Sequence, residues 1–300
     1  GVISALNVTD MALMLIDATS GVEVGTMNQF RYAEELKKPV LFVINQLDHE
    51  KADYENTLTG LKEMYGSKVI TVQYAVSSGT SFDAVIDVLK QKMYKWKPGA
   101  TAPDVMEIPE SEKEKAGEVF QQLLEAAAEN DDSLMEKFFD QGTLSEEEMR
   151  DGIHKGMIAR TIFPVFCASG EKNMCVHRIM NFLSVAAPAP NEMPAPINTD
   201  GEEVIPDSNA PTSLFFFKTT VEPHIGEVSY FKVMSGKLKE GDDLINISRG
   251  TKERLSQIQT VAGQIRNKVE VLEAGSIGAA VKLKDVRTGN TLNSKEIDFK

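Results

Sequence analysis

The chain has 300 residues, 42% of them hydrophobic, which is enough apolar material for two domains that each bury a core. Its longest apolar run, around Met11 to Ile16, is far shorter than the roughly 18 to 20 residues that cross a bilayer. Only two cysteines are present. The composition therefore excludes a disordered chain, a membrane-spanning helix and a disulfide-rich secreted scaffold, and we expect a cytoplasmic protein.

The formal net charge of −13 is distributed unevenly along the chain. Residues 104–151 contain 16 acidic and four basic side chains, whereas residues 211–300 contain 14 Lys or Arg and 11 Asp or Glu. Nearly all the excess negative charge thus lies in one middle segment. The total charge alone does not exclude a nucleic-acid partner for the rest of the chain.

The first predicted elements form a βαβ unit. The run from Met11 to Asp17 and the run from Val40 to Ile44 are apolar and of strand length, which is typical of a parallel sheet covered on both faces. Between them, apolar residues recur at spacings of three, and Pro39 ends the predicted helix. These apolar residues are Phe30, Ala33 and Leu36.

The same layered pattern continues further along the chain. We predict a helix at about 54–64, a strand at about 68–74, a late strand at about 163–167 and a closing helix at about 175–185. The acidic segment, at about 80–160, has apolar stripes at helical spacing and is predicted to be a helical insertion. Within it, Ser145 followed by Glu146-Glu147-Glu148 predicts the capped first turn of a helix.

The last third of the chain has a different character. Residues 188–211 contain six prolines, so we predict a stiff linker at 191–210 between a first domain at 1–190 and a second at 211–300. After Pro211, short alternating strands are separated by regularly spaced glycines, as in the run from Gly226 to Val233. This spacing predicts a small antiparallel β-barrel.

The sharpest chemical signal is the sequence Asn45-Gln46-Leu47-Asp48, which directly follows a predicted parallel strand. Ligands of such folds bind at the carboxyl ends of the strands. An Asp there can accept two hydrogen bonds from the ring and exocyclic nitrogens of guanine, each contributing about 1.5 to 3 kcal/mol before desolvation. The alternative is a polar turn that caps the next helix.

A second, weaker signal is Ser169-Gly170, which leaves the end of the late strand and offers backbone amides to a base edge. Taken in order, the segments resemble the later half of the GTPase domain of the elongation factor G family of translational GTPases. Asn45 to Asp48 falls where that family has NKxD, and Ser169-Gly170 falls at its base-contacting Ser-Ala turn. The resemblance implies a guanine-binding set of Asn45, Gln46, Asp48, Ser169 and Gly170.

The resemblance extends over essentially all 300 residues. In the last third, Phe217-Lys218, Pro223 to Gly226 and Thr288 to Leu292 are similar to the second domain of the family. It implies an α/β fold, here a partial P-loop GTPase-type sheet with a helical insertion, followed by an antiparallel β-barrel. The implied partners are the ribosome, through ribosomal RNA and the large-subunit stalk protein, and neither DNA nor a membrane.

The sequence departs from the family pattern in two ways. It contains neither a GxxxxGK[ST] phosphate loop nor a DxxG switch, and by the resemblance both would precede Gly1. We therefore expect a chain that belongs to a longer protein, whose full length binds GTP or GDP with Mg²⁺. Alone, the chain is expected to bind nucleotide weakly and to contain no catalytic residue and no metal site, because the phosphate loop supplies much of the affinity.

The second departure lies in the proposed base pocket, where Gln46 replaces the family's Lys and Gly170 replaces Ala. Either the changes have no consequence or guanine binding is weakened. Two function classes follow: a GTPase that couples nucleotide to tRNA and mRNA movement, or a ribosome-binding factor that acts without hydrolysis. A related ribosome-protection or release factor is a third hypothesis.

A set of cations in the last third is either an RNA-binding patch or ordinary barrel surface: Arg249, Lys252, Arg254, Arg266 and Lys268.

Overall fold

The computed structural model describes residues 1–295 and 297, and these residues divide into two units. One unit consists of residues 10–188 and is called the α/β unit below. The other consists of residues 1–9 and 189–300 and is called the β unit. The chain begins with a short helix, α1 (Val2–Leu6), which belongs to the β unit. Among the described residues, no helix is long and apolar enough to cross a membrane.

The α/β unit alternates strands and helices, apart from a run of short strands and a run of helices in its middle. In chain order its elements are β1 (Ala12–Asp17), α2 (Val24–Glu35), β2 (Val40–Asn45), α3 (Tyr54–Tyr65), β3 (Val69–Thr71), β4 (Gln73–Ala75), β5 (Ala84–Asp87), β6 (Lys92–Lys95), β7 (Asp104–Met106), α4 (Lys113–Ala128), α5 (Asp132–Gln141), α6 (Glu146–Ala159), β8 (Phe163–Cys167) and α7 (Val176–Ala186).

A four-stranded parallel sheet forms the centre of the α/β unit, with the strand order β1-β2-β8-β3. The two central strands are buried on both faces, which explains their uninterrupted apolar sequences. Phe42 of β2 packs against Phe30 of α2, Tyr65 of α3 and Phe163 of β8, with ring centroids 5.3 to 6.3 Å apart. This aromatic cluster fixes the helices on one face of the sheet.

Side-chain caps mark the start of α3 and of α6. The Asp53 carboxylate accepts a hydrogen bond from the Asn56 N–H at 3.0 Å and starts α3. At α6, the Ser145 hydroxyl accepts from the Glu148 N–H, and the Glu148 carboxylate accepts from the Ser145 N–H. The prediction of a capped, acidic first turn is confirmed, since each cap satisfies a backbone group that the helix itself leaves free.

The predicted helical insertion is wrong over its first part. Residues 84–106 form β5, β6 and β7, which with β4 make an antiparallel sheet in the order β4-β5-β6-β7. The predicted strand at 68–74 is also wrong as a single element, because Val72 divides it between the two sheets. The helical part of the insertion, α4 to α6, is confirmed.

In the described part of the chain, the β unit has ten strands. They are β9 (Ser213–Glu222), β10 (Gly226–Ser235), β11 (Lys237–Lys239), β12 (Asp243–Asn246), β13 (Thr251–Arg254), β14 (Ile258–Ala262), β15 (Ile265–Val269), β16 (Val271–Glu273), β17 (Ile277–Val281) and β18 (Thr291–Asn293). Eight form an antiparallel sheet in the order β13-β12-β18-β9-β10-β17-β14-β15, and β11 pairs with β16.

The eight-stranded sheet encloses a common core, as expected of a barrel. Leu214 of β9, Phe231 of β10, Leu244 of β12, Ile258 of β14 and Leu292 of β18 belong to one buried cluster. Among the described residues, however, the outer strands β13 and β15 do not pair with each other, so backbone hydrogen bonds do not close the sheet. The predicted barrel reaches residue 300, and residues 296 and 298–300 lie outside the described part.

The proline-rich stretch contains a 3-10 turn, Pro190–Glu192, and an isolated bridge between Ile197 and Glu203. It also contacts the β unit through backbone groups. The Gly236 N–H donates to the Asp207 carbonyl at 2.8 Å, and the Ser235 hydroxyl donates to the Pro211 carbonyl at 2.8 Å. The stretch from residue 189 onward is therefore part of the β unit.

Candidate functional site

The five predicted base-contacting residues lie in two neighbouring loops. Asn45 is the last residue of β2, and Gln46 and Asp48 follow it; Ser169 and Gly170 come just after β8. β2 and β8 are adjacent and parallel, with Ile44 opposite Cys167. Both loops therefore leave the carboxyl edge of the sheet side by side, where ligands of open α/β sheets bind.

Asn45 ties the two loops together. Its Oδ1 accepts a hydrogen bond from the Gly170 N–H at 2.9 Å, across 125 positions of sequence. Backbone bonds extend the contact, since the Ala168 N–H donates to the Ile44 carbonyl at 2.9 Å and the Leu47 N–H donates to the Ala168 carbonyl at 3.4 Å. The Asn side chain thus fixes the position of the second loop relative to the first.

Asp48 lies at the centre of the site, with only 12% of its side chain exposed. Burial by itself would raise the pKa of its carboxyl, but the Ser169 hydroxyl and the Lys172 ammonium hold the pKa below its ordinary value. The Lys172 Nζ lies 3.5 Å from the Asp48 Oδ2. Asp48 is therefore ionised at neutral pH and acts only as an acceptor, which suits the ring N–H and 2-amino donors of guanine.

Gln46 adopts an unusual backbone conformation, with φ at +60°. Its side chain is exposed, whereas the next residue, Leu47, is fully buried. The turn is closed by a hydrogen bond from the His49 N–H to the Gln46 carbonyl at 3.0 Å. A non-Gly residue in the left-handed region is uncommon, and this conformation costs free energy. The buried side chain of Leu47 anchors the turn and holds Gln46 in this conformation.

The replacement of Ala by Gly at position 170 is not required by the backbone. Gly170 does not adopt a positive φ, and a Cβ built on it would lie 3.5 Å from the Asn45 Oδ1, an ordinary contact. The amide that donates to Asn45 would be present with either residue. The geometry of the loop is therefore compatible with both residue types.

Two features of the site were missed from the sequence. Lys172 supplies the cation nearest Asp48, and the only signal for it was a basic residue two positions after Gly170. The loop around Gly79 also supports the site, because the Gly79 N–H donates to the Leu47 carbonyl at 2.8 Å.

A third loop leaves the same edge of the sheet after β1. Asp17, at the end of β1, accepts hydrogen bonds from the Thr19 N–H and hydroxyl at 2.8 and 2.7 Å and so shapes this loop.

Comparison with known proteins finds similar sequences and a similar structure over both units. A family model described as elongation factor Tu GTP binding domain matches residues 1–189, and one described as elongation factor G domain 2 matches residues 211–295. A curated relative named elongation factor G, from Amoebophilus asiaticus, is 34% identical over 97% of this chain. A crystal structure of a Thermus thermophilus protein covers 99% of the chain with a TM-score of 0.84 and 28% identity.

This chain is shorter than the proteins that it matches. It spans 42% of the length of the curated relative and 42% of the Thermus thermophilus chain. The two family models match consecutive parts of this chain, without overlap. The similarity therefore covers nearly the whole of this chain and less than half of each of those proteins.

Proposed function

Because the chain belongs to the elongation factor G family of translational GTPases, we propose that its loops at 45–48 and 169–170 bind the guanine base of GTP and GDP. The observation that carries this is the Asp48 carboxylate, 12% exposed and held ionised between Ser169 and Lys172 at the carboxyl edge of the sheet. Adenine lacks the paired donors that such an acceptor needs, so the geometry favours guanine.

In this proposal, each of the five residues has a distinct task. Asp48 accepts from the base, Asn45 holds Gly170 in place, and the exposed stem of Gln46 covers one face of the base. Ser169 orients the Asp48 carboxylate. Mg²⁺ and the phosphates would be bound by other parts of the natural protein, where the metal neutralises charge that develops on the transferred phosphoryl group.

We further propose that the natural protein acts in the cytoplasm, on the ribosome, where GTP hydrolysis accompanies the movement of tRNA and mRNA. The acidic segment that includes α4 to α6 is proposed to contact the large-subunit stalk protein. The β unit is proposed to contact ribosomal RNA through cations such as Lys252 and Lys268, because clustered Lys and Arg neutralise phosphates without fixed spacing.

The test has two arms that use the natural protein containing this chain. Displacement of a fluorescent GDP by unlabelled GDP and by ADP measures base selectivity, and we expect GDP to compete at least about a hundredfold better, as two lost charge-assisted bonds predict. GTP hydrolysis is then measured with and without ribosomes. Equal competition by ADP would contradict the base-site assignment. Ribosome binding without stimulated hydrolysis would instead identify the factor that acts without hydrolysis.

A further inference from the structure

Of the three helices in the acidic segment, α5 is the least buried. Among the residues of these helices, all of which the structure describes, α4 and α6 bury five each, whereas α5 buries only Leu134. Both ends of α5 are nevertheless fixed. The Asp131 carboxylate caps its start by accepting from the Ser133 N–H at 2.8 Å, and Gly142 ends it in the left-handed conformation. The helix therefore has a defined position and a largely open outer face.

The open face of α5 carries a stripe of apolar and acidic side chains. Its members recur at positions i, i+3, i+4 and i+7 of the helix and so lie along one side: Asp132, Met135, Glu136 and Phe139. Phe139 is 77% exposed, and neither α4 nor α6 exposes a comparable apolar side chain. The half-buried Phe138 supports it, with the two ring centroids 6.0 Å apart. A supported aromatic side chain in water is the kind of residue that anchors a protein–protein contact.

The negative charge around Phe139 is not neutralised within the described part of the chain. Lys137, the single cation of α5, already pairs with Glu148 of α6. No ion pair among the described residues involves Asp132, Glu136 or Asp140, and all three are exposed. An apolar centre with a charged rim is the usual anatomy of a protein interface, and unpaired carboxylates favour a partner of opposite charge. The face is therefore complementary to a basic surface that contains an apolar pocket.

We propose that the natural protein contacts the large-subunit stalk protein through this face of α5, with Phe139 inserted into an apolar pocket that Lys or Arg side chains of the partner surround. The inference rests on the contact proposed above for the acidic segment, and it assigns that contact to α5 and not to α4 or α6. A neutral or acidic surface would desolvate Asp132 and Glu136 without supplying a counter-charge. Phe139 supplies most of the affinity, and the carboxylates mainly increase the association rate and the selectivity.

Removal of the aromatic anchor tests the assignment. Fluorescently labelled stalk protein is titrated with the natural protein that contains this chain, and anisotropy measures the affinity. Phe139→Ser should weaken binding at least about tenfold, because an aromatic anchor that is buried on binding contributes at least this much. The matched control is Val105→Ser, since Val105 is 59% exposed and belongs to the same acidic segment but to a different element, β7. It should leave the affinity unchanged.

Removal of a charge tests the acidic rim. Glu136→Gln should weaken binding about two- to fivefold in about 50 mM salt and less in about 300 mM salt, because salt screens the attraction between exposed charges. The control is Glu63→Gln, which removes the same charge from an exposed carboxylate of α3 and should have no effect at either salt concentration. Far-ultraviolet circular dichroism of every variant should match that of the wild type, because each substituted side chain is exposed.

The outcomes distinguish the role of α5 from the stalk contact as a whole. Binding by the wild type together with an unchanged affinity of Phe139→Ser would overturn the assignment to α5 and leave the stalk contact intact. A lack of binding by the wild type up to about 100 μM, a concentration at which weak contacts are still visible, would overturn both. A dimer of the natural protein that Phe139→Ser converts to a monomer in sedimentation would also overturn the assignment, because a second copy would then occupy this face.

Discussion

At the residue scale, the loops proposed to recognise the base are organised around one carboxylate and the groups that hold it. Asp48 is placed by Leu47, which is fully buried, and its charge is stabilised by Ser169 and Lys172. The sequence predicted Asp48 and Ser169 because both follow parallel strands. It did not predict Lys172 or the positive φ of Gln46, because these depend on how two turns, far apart in the chain, fold against each other.

Substitution of Asp48 by Asn tests the assigned role of the carboxylate. Asn offers one acceptor and one donor, so it loses a bond to the guanine 2-amino group but can donate to the 2-oxygen of xanthine. We expect Asp48→Asn in the natural protein to weaken GDP binding at least about tenfold and to strengthen binding of xanthosine diphosphate. Competition with fluorescent GDP measures both effects.

The control for this substitution is Asp83→Asn, which removes the same charge from an exposed carboxylate paired with Lys95. It should leave both affinities unchanged. The pKa of Asp48 lies below its ordinary value, so the carboxylate stays ionised throughout the range from about pH 8 to about pH 6, and the preference for GDP over ADP should be constant over that range. A GDP affinity unaltered by Asp48→Asn would show that Asp48 does not contact the base.

At the element scale, a buried ion pair joins the antiparallel sheet to the closing helix of the α/β unit. The Asp87 Oδ2, at the end of β5, accepts from the Arg178 Nη2 at 2.6 Å and from the Gln73 Nε2 at 2.9 Å. The Arg178 guanidinium also lies 5.2 Å from the centre of the Tyr94 ring. Because α7 follows the loop that contains Ser169, this contact holds the far end of that loop in place.

Removal of the Asp87 charge should destabilise the α/β unit strongly. Asp87 is 1% exposed, and Asp87→Asn leaves Arg178 partly buried without its counter-charge, so we expect a loss of about 2 to 4 kcal/mol in the free energy of unfolding. Urea unfolding monitored by Trp96 fluorescence reports on this unit alone, because the chain has no other tryptophan. The exposed pair of Asp83 and Lys95 provides the control, at less than about 1 kcal/mol.

The elements show which sequence signals are reliable. The apolar runs of β2 and β8 and the periodic stripes of α4 and α5 predicted these elements correctly. β2, β8 and α4 each bury a regular face, whereas α5 buries only Leu134. The strands β5 to β7 were missed because they are three or four residues long, too short for an alternating pattern. Asp87 added to the error, since a charged residue is rarely found in a buried strand.

At the scale of the whole molecule, the chain separates into two units, each with its own core and its own charge. The α/β unit contains the acidic segment, and the β unit contains the set of cations that includes Lys252 and Lys268. The β unit surrounds a buried cluster that includes Phe216 and Val233 and draws on most of its strands. A core of this kind is sufficient for independent folding.

We therefore predict that residues 189–300 fold when they are expressed alone. The proposed linker at 191–210 and the residue before it contribute to this stability, because the Asp207 carbonyl accepts a hydrogen bond from the Gly236 N–H, and Pro190 packs against Gly275. A fragment of residues 211–300 loses both contacts. It should consequently be less stable by about 1 to 3 kcal/mol, the contribution of one hydrogen bond and one apolar contact.

Urea unfolding of the two fragments, followed by far-ultraviolet circular dichroism, measures this difference. A single substitution, Pro190→Ala in the longer fragment, provides the control. It should remove the packing of Pro190 against Gly275 but keep the bond from the Gly236 N–H to the Asp207 carbonyl, and so lose less than the full difference. Equal stability of the two fragments would mean that residues 191–210 are a passive linker. A difference in the expected range would place the start of the folded β unit near residue 189, because contacts within the unit, and not proline content, determine where it begins.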